Sequence, residues 1–285
     1  MSRPSDDNGS GETAHGATAE GASAGTSGSD CPATAYFGTQ VTPRTAEQWL
    51  AFIGQCLAVS RQRQICACHN LHSLYLRHTV PDMATFYARS HDCYIDGMPI
   101  RLLCRLFGVR WHNTPRFSLM DHFPQLLEHA RRHQWRLFYL GSSPEVVASA
   151  QARIEQQYAG LDIRLHHGYF NDEAQIAALI NAQQPHLLMI GMGMPRQERW
   201  LLRNIDQLDF ACVTQTGATL DYFTGAQARP PLWMSKAGLG WLYRLAHDPR
   251  RLWRRYLVEP WGLLRPTMTH WRRFAAQRNA SDHRH

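Results

Sequence analysis

From Arg136 to Asp221 the chain alternates short apolar runs with stretches of helical period, and this alternation constrains the fold more than any other feature. Arg136–Leu140, Ile163–His166, Leu187–Ile190 and Phe210–Thr214 are apolar and short enough to be strands. Val146–Tyr158, Asp172–Ala182 and a segment from Pro195 repeat apolar residues at helical spacing. Upstream, Ile65-Cys-Ala-Cys and Cys93-Tyr-Ile add two more strands. Helices are predicted from Thr45 (Trp49, Leu50, Ile53 and Leu57 on one face), from about Leu71, after Pro81, over Ile100–Phe107 between Pro99 and Gly108, and over Met120–His133. Strands that alternate with helices need right-handed crossovers, which lay parallel strands side by side under helices. The prediction is an α/β fold: a parallel-sheet Rossmann-like core covered by helices on both faces, at residues 40–228, with a C-terminal helical appendage.

The flanks have different chemistry. Residues 1–39 are largely Gly, Ala, Ser and Thr, too poor in large apolar groups to offset the entropy of ordering, and read as a disordered N-terminal tail. Residues 229–285 read as a separate appendage of two or three helices. Within them, 229–278 carry eleven Lys and Arg against Asp248 and Glu259, so the +7 of the whole chain is concentrated there. Five of the nine tryptophans (Trp233, Trp241, Trp253, Trp261, Trp271) lie in the same stretch. Tryptophan favours the membrane–water boundary and arginine attracts anionic headgroups, which suits a peripheral membrane surface. Basic and aromatic residues also suit nucleic acid, so a nucleic-acid-binding protein is the rival reading. The charge is confined to one appendage, however, and no nucleic-acid partner is expected. Seven cysteines without framework spacing suggest reduced thiols and a cytoplasmic setting. The N-terminus shows no signal pattern, and no run of 18 apolar residues spans a bilayer.

Three points along the core can carry chemistry. Leu187 to Trp200 reads as strand, glycine turn (Gly191, Gly193) and helix N-terminus at Pro195, delivering Arg196, Gln197 and Glu198 to the ligand side of an open sheet. Asp96, before Gly97, ends a strand and can serve as a general base or cap the helix from Pro99. Asn70 ends another strand and can reach the same crevice or cap the next helix. Cys66-Ala-Cys68-His-Asn-Leu-His72 offers thiolates and imidazoles, but no second ligand pair follows; core packing is preferred and no metal is expected. Gly191-x-Gly193 lacks the full dinucleotide fingerprint, so no NAD or other cofactor is expected.

Taken together, Asn70, Asp96-Gly97, Gly168-Tyr169-Phe170, Gly193-x-Pro-Arg-Gln-Glu198, Gly217…Asp221, Arg229-Pro-Pro and Tyr243-Arg-Leu…Pro249-Arg-Arg resemble the WecG/TagA/CpsF glycosyltransferase family. The ordered match runs over about residues 60–257. The resemblance implies an inverting enzyme of bacterial surface-polymer or exopolysaccharide assembly. Such an enzyme moves a sugar from a UDP-sugar to a polyprenyl-diphosphate-linked saccharide, peripheral on the inner face of the plasma membrane. It implies Asp96 as the base that deprotonates the acceptor hydroxyl, Asn70 and Gln197 as positioning groups, and Arg244, Arg251 and Arg254 closing over the site. The wider substrate-binding set is Cys68, Gly97, Arg116, Tyr169, Gly193, Arg196, Glu198, Gly217 and Asp221. Cys68 stands where the family usually has Thr, and Arg116-Phe-Ser-Leu-Met-Asp121 has Leu119 where glycine is usual. These departures leave the donor open between N-acetylmannosamine types and another sugar such as glucose. The chain has no Asp-x-Asp, the usual metal holder of UDP-sugar enzymes, so helix N-termini and arginines must neutralise the leaving diphosphate. Membrane lipids and a second copy of the chain complete the expected partners. A non-catalytic nucleotide-sugar-binding subunit is a further alternative.

Overall fold

The computed structural model describes residues 34–36, 39–58, 63–97, 100, 117–231, 233–234, 238–264, 266 and 268–269. Within them six strands form one parallel sheet: β3 (Gln64–His69), β4 (Asp92–Ile95), β5 (Leu137–Gly141), β6 (Ile163–His166), β7 (Leu187–Gly191) and β8 (Cys212–Gln215), in the spatial order β4-β3-β8-β7-β5-β6. The central strands are buried along their whole length, so they read as continuous apolar runs, as strands covered on both faces do.

The period of two within each strand divides the core into two layers. Cys66, Cys68, Leu137, Tyr139, Leu187 and Met189 pack on one face against α1 (Ala46–Ala58), α4 (Leu119–Arg132), α5 (Pro144–Gln157) and α8 (Thr219–Thr224). Ile65, Ala67, Phe138, Leu140, Leu188 and Ile190 pack on the other against α2 (Leu71–Thr79), α3 (Pro81–Ala88), α6 (Glu173–Gln183) and α7 (Arg196–Asn204). The predicted α/β architecture is thus present, and Cys66 and Cys68 serve the core as packing residues. The last strand begins two residues later than expected, at Cys212, and ends one later, at Gln215. Helix α7 begins at Arg196, with Pro195 as its N-cap behind a cis Met194–Pro195 bond.

Two differences from the sequence reading stand at the chain's ends. The tail expected through residue 39 gives way to an antiparallel hairpin, β1 (Thr34–Tyr36) with β2 (Thr39–Val41); residues 1–33 lie outside the described residues. The C-terminal segment folds as α9 (Gly240–His247), α10 (Pro249–Trp253), a π-helical turn (Arg254–Val258) and α11 (Glu259–Gly262). Pro249 interrupts the helix there as expected, with Asp248 capping α10. This segment packs on the core: Leu263 is buried with Val41, Leu74, Ile95 and Ile100. The helix expected over Ile100–Phe107, and Arg116 with it, lies outside the described residues save Ile100.

Candidate active site

Parallel register brings the candidate residues to one edge of the sheet. His69 lies opposite Ile95, so Asn70 and Asp96 leave the sheet side by side at the carboxyl ends of β3 and β4. The Asp96 N–H donates to the His69 carbonyl at 2.8 Å, and Gly97 follows with φ of +102°, a conformation that turns the chain sharply and suits glycine. Asn70 closes a capping box: its Oδ1 accepts from the Ser73 N–H at 3.0 Å, and Ser73 Oγ accepts from the Asn70 N–H at 2.9 Å. The cap uses the amide oxygen and leaves the two Nδ2 donors outside it. Cys68 is buried, and burial together with the nearby Asp96 carboxylate pushes its thiol pKa well up. A neutral buried thiol supports the wall and offers a ligand no hydroxyl-like contact.

The β7–α7 turn forms the next wall. Gly193 is exposed with φ of +81° and donates its N–H to Gln197 Oε1 at 3.2 Å. Gln197 and Glu198, both expected to meet substrate, are buried instead. Gln197 Nε2 donates to Glu198 Oε1 at 2.8 Å, Gln215 Nε2 donates to the same oxygen, and Gln215 Oε1 accepts from the Cys68 N–H at 2.8 Å. Burial pushes the Glu198 pKa up to about 7. These two side chains build the turn from behind, because their places in the first turn of α7 face the sheet. Gln215 escaped the sequence reading; the signal was a polar residue ending an otherwise apolar strand.

On the far side, Gly141 and Gly191 sit opposite each other, and a Cβ on Gly141 would overlap the Gly191 backbone. Ser142 Oγ donates to Asp221 Oδ2 at 2.8 Å, its N–H donates to the Gly191 carbonyl, and its carbonyl accepts from the Gly168 N–H. Asp221 therefore holds the β5 loop at the head of α8. Gly217, with φ of +54°, makes the turn between β8 and α8. Arg196 and Tyr169 are exposed, and the Arg196 guanidinium lies 5.8 Å from the Tyr169 ring centroid and 6.0 Å from that of Phe170. An exposed aromatic under a guanidinium is a platform for a planar or anionic group.

The fourth wall comes from the C-terminal segment. Arg244 on α9 lies over the Tyr222 ring at 5.4 Å. Burial works to lower its pKa, but Tyr222, Tyr256 and the Asp96 carboxylate outweigh that and raise it, so the guanidinium stands within electrostatic reach of Asp96. Arg255 shares this ground: burial lowers its pKa and the like charge of Arg244 adds to the effect. Arg244 thus feels the Asp96 carboxylate, and Arg255 in turn feels the like charge of Arg244. Arg251 and Arg254 are placed otherwise. Arg251 Nε donates to Asp248 Oδ2 at 2.5 Å on an exposed surface, and Arg254 is exposed over Trp253. Of the three arginines singled out from sequence, Arg244 is within electrostatic reach of Asp96, and Arg255, within reach of Arg244, was not singled out.

The profile of the glycosyl transferase WecG/TagA/CpsF family matches residues 34–277. Relatives named N-acetylglucosaminyldiphosphoundecaprenol N-acetyl-beta-D-mannosaminyltransferase, from Staphylococcus aureus strains MW2, NCTC 8325 / PS 47 and COL, are each 29% identical over 181 residues, covering 59% of this chain and 70% of the relative. With the match spanning the sheet, the crevice and the C-terminal arginines alike, the chain belongs to the WecG/TagA/CpsF family of glycosyltransferases.

Proposed function

We propose that this glycosyltransferase moves a sugar from a UDP-sugar to a polyprenyl-diphosphate-linked saccharide in the assembly of a cell-surface polymer, inverting the anomeric centre and using no metal. The observation that carries the reading is one carboxylate, Asp96, at the edge of the sheet with Arg244 within its electrostatic reach and Arg255 within reach of Arg244. In a single displacement the acceptor hydroxyl gives its proton to the Asp96 carboxylate as its oxygen bonds to the anomeric carbon. The bond from that carbon to the β-phosphate oxygen breaks on the opposite face. The pair of electrons leaves with UDP, and the two guanidiniums balance the charge that develops there. Asn70 Nδ2 and the Gly193 turn border the place where the reacting sugars meet. The S. aureus relatives, by their names, act on a diphosphoundecaprenol-linked acceptor, which supports the same acceptor class here.

A lipid-linked acceptor requires a protein that works at a bilayer surface. Trp253, Leu257, Trp261, Leu264 and Met268 are exposed on the C-terminal segment, close in sequence to the exposed Arg250, Arg251 and Arg254. Among the described residues no helix is long and apolar enough to cross a membrane. The segment fits a peripheral role, each arginine near an anionic surface contributing about 1 kcal/mol.

The test is a panel of UDP-N-acetylmannosamine, UDP-N-acetylglucosamine and UDP-glucose with a polyprenyl-diphosphate-linked N-acetylglucosamine acceptor, scored for UDP release in EDTA. One donor should give acceptor-dependent release; no release from any donor overturns the reading, and release that needs Mg²⁺ or Mn²⁺ overturns its metal-free part. Asn70→Asp keeps the cap oxygen and removes the two donors, so the variant should melt like the wild type and turn over about tenfold more slowly, the scale of one lost neutral hydrogen bond. Unchanged turnover would leave Asn70 as a cap alone.

A further inference from the structure

Glu198 is an expensive residue for its place. It is completely buried, one carboxyl oxygen has no hydrogen-bond partner among the described residues, and no ion pair forms on it there. Packing alone would be served by methionine or leucine, which carry no desolvation cost. Its surroundings are apolar on one side (Ile65, Phe86, Ile190, Leu201 and Val213) and polar on the other (Gln197, Thr214 and Gln215). The titratable groups that feel its charge, Cys68 and Tyr87, are buried, and burial raises both of their pKa values.

The amides explain what a carboxyl does there. Oε1 of Glu198 accepts from Gln197 Nε2 and from Gln215 Nε2 at once. A carboxyl oxygen that accepts twice forces both amides to present nitrogen inward. Their oxygens must then point outward, and each meets a backbone N–H: Gln197 Oε1 takes that of Gly193, and Gln215 Oε1 takes that of Cys68. Those two N–H groups belong to two different walls of the crevice, the β7–α7 turn and the strand end that presents Asn70 two residues later. Without the central acceptor each amide is free to flip, and a flipped amide sets its NH₂ against a backbone N–H.

We propose that Glu198 is a positioning residue for sugar transfer: it is the shared acceptor that orients Gln197 and Gln215, and through them it fixes the Gly193 turn against the end of β3. This rests on the glycosyl-transfer reading above. Either protonation state of the carboxyl keeps the accepting oxygen, so the role calls for an acceptor atom rather than a charge.

Three variants test it, with kcat and KM for the UDP-sugar, UDP affinity by calorimetry, and the melting temperature measured on each. Glu198→Gln keeps an acceptor oxygen, Glu198→Met fills the volume without one, and Gln215→Met removes one arm. Glu198→Met should lose on the order of 10- to 100-fold in kcat, since a misplacement of about 1 Å suffices for that, while still folded at the assay temperature. Glu198→Gln should recover most of the loss, and Gln215→Met should show part of it. A folded Glu198→Met with wild-type kcat and KM overturns the proposal. So does a Glu198→Gln variant as impaired as Glu198→Met, because the carboxylate itself would then be needed. If Glu198→Met does not fold, Gln215→Met against Glu198→Gln decides by the same criteria. Lack of turnover by the wild type defeats the glycosyl-transfer reading and this proposal with it; turnover by the wild type with unaffected variants defeats this proposal alone.

Discussion

The sheet and the C-terminal segment supply opposite charges to one site and are held in opposite ways. In β3, β4, β5, β7 and β8 almost every side chain is buried, and the strands are bonded to neighbours on both sides except at the edge. Between Gly240 and Leu264 only Leu252 and Leu263 are buried among the described residues. The segment meets the core through Leu263 in its small cluster, Gly262 against the Tyr75 ring, the His72–Glu259 pair and Arg244 against Tyr222 and Met120. The sheet therefore fixes Asp96 rigidly, while the segment that brings Arg244 and Arg255 belongs to the low end of the local-stability range. A base must be in place before substrate arrives. On the proposed mechanism, cations for a departing diphosphate are needed only once the donor is bound.

The sharpest way to break this contrast is to remove the Asp96 carboxylate from the rigid side. Asp96→Asn keeps the shape but cannot take the proton, and turnover should fall by about 10²–10⁴-fold while UDP still binds. Near-normal turnover would take Asp96 out of the base role. On the mobile side, Arg244→Ala should cut kcat by about 10²-fold, the scale of one lost transition-state donor. Arg251→Ala should change turnover far less, because its guanidinium is already engaged by Asp248 at the surface. Equal losses in the two variants would mean that the segment rearranges in the working enzyme.

The arginines also show where sequence reasoning stops. Spacing by three or four selects residues that share a face of an α-helix, and on that rule Arg251 and Arg254 go together. The chain from Arg254 to Val258 is instead π-helical, with an extra residue in the turn that shifts the phase of everything after it. Arg255 in this turn is within electrostatic reach of Arg244, and Arg254 lies over Trp253. Nothing in the residues 254–258 announces that insertion. The sheet was legible for the converse reason: Leu187 to Gly191 is buried on both faces, so its composition could take no other pattern. Asp96 and Asn70 were legible because strand ends in parallel register must converge. Gln197 and Glu198 were found but misplaced, since a sequence cannot say which side of a helix's first turn meets the sheet. The hairpin at Thr34–Val41 carried no signal, each of its strands being only three residues long.

Glu198 sharpens the comparison through stability instead of rate. Its folded pKa is raised to about 7 from an ordinary 4.5. Below pH 4.5 the carboxyl is protonated in both folded and unfolded chains, and its contribution is fully present. Between 4.5 and 7 the unfolded chain releases the proton and the folded one keeps it, so stability is lost across that window, by a total on the order of 3 kcal/mol. Glu198→Gln has no proton to release. The melting temperature of this variant relative to the wild type should therefore rise as pH goes from 4.5 to 7 and stay level above. A gap independent of pH would mean that the group titrates normally.

The smallest effect tests the weak docking of the segment itself. His72 Nδ1 and Glu259 Oε2 are 2.6 Å apart, with both side chains mostly sheltered, and they join the start of α2 to α11. The pair lies beside the Asn70 cap, yet it takes no part in holding the sheet. Its loss should be felt as easier opening of residues 240–264 and should leave the core's own melting alone. A contact of this kind is worth about 1 kcal/mol, which multiplies the population of an opened segment by about fivefold. In His72→Gln, limited proteolysis after the core should therefore speed up by about that factor, while the thermal midpoint followed by the core tryptophans stays within about a degree. Were the midpoint to fall in step with the faster cleavage, segment and sheet would be opening as one cooperative unit. The division of labour between a rigid base and a mobile pair of cations would then have to be given up.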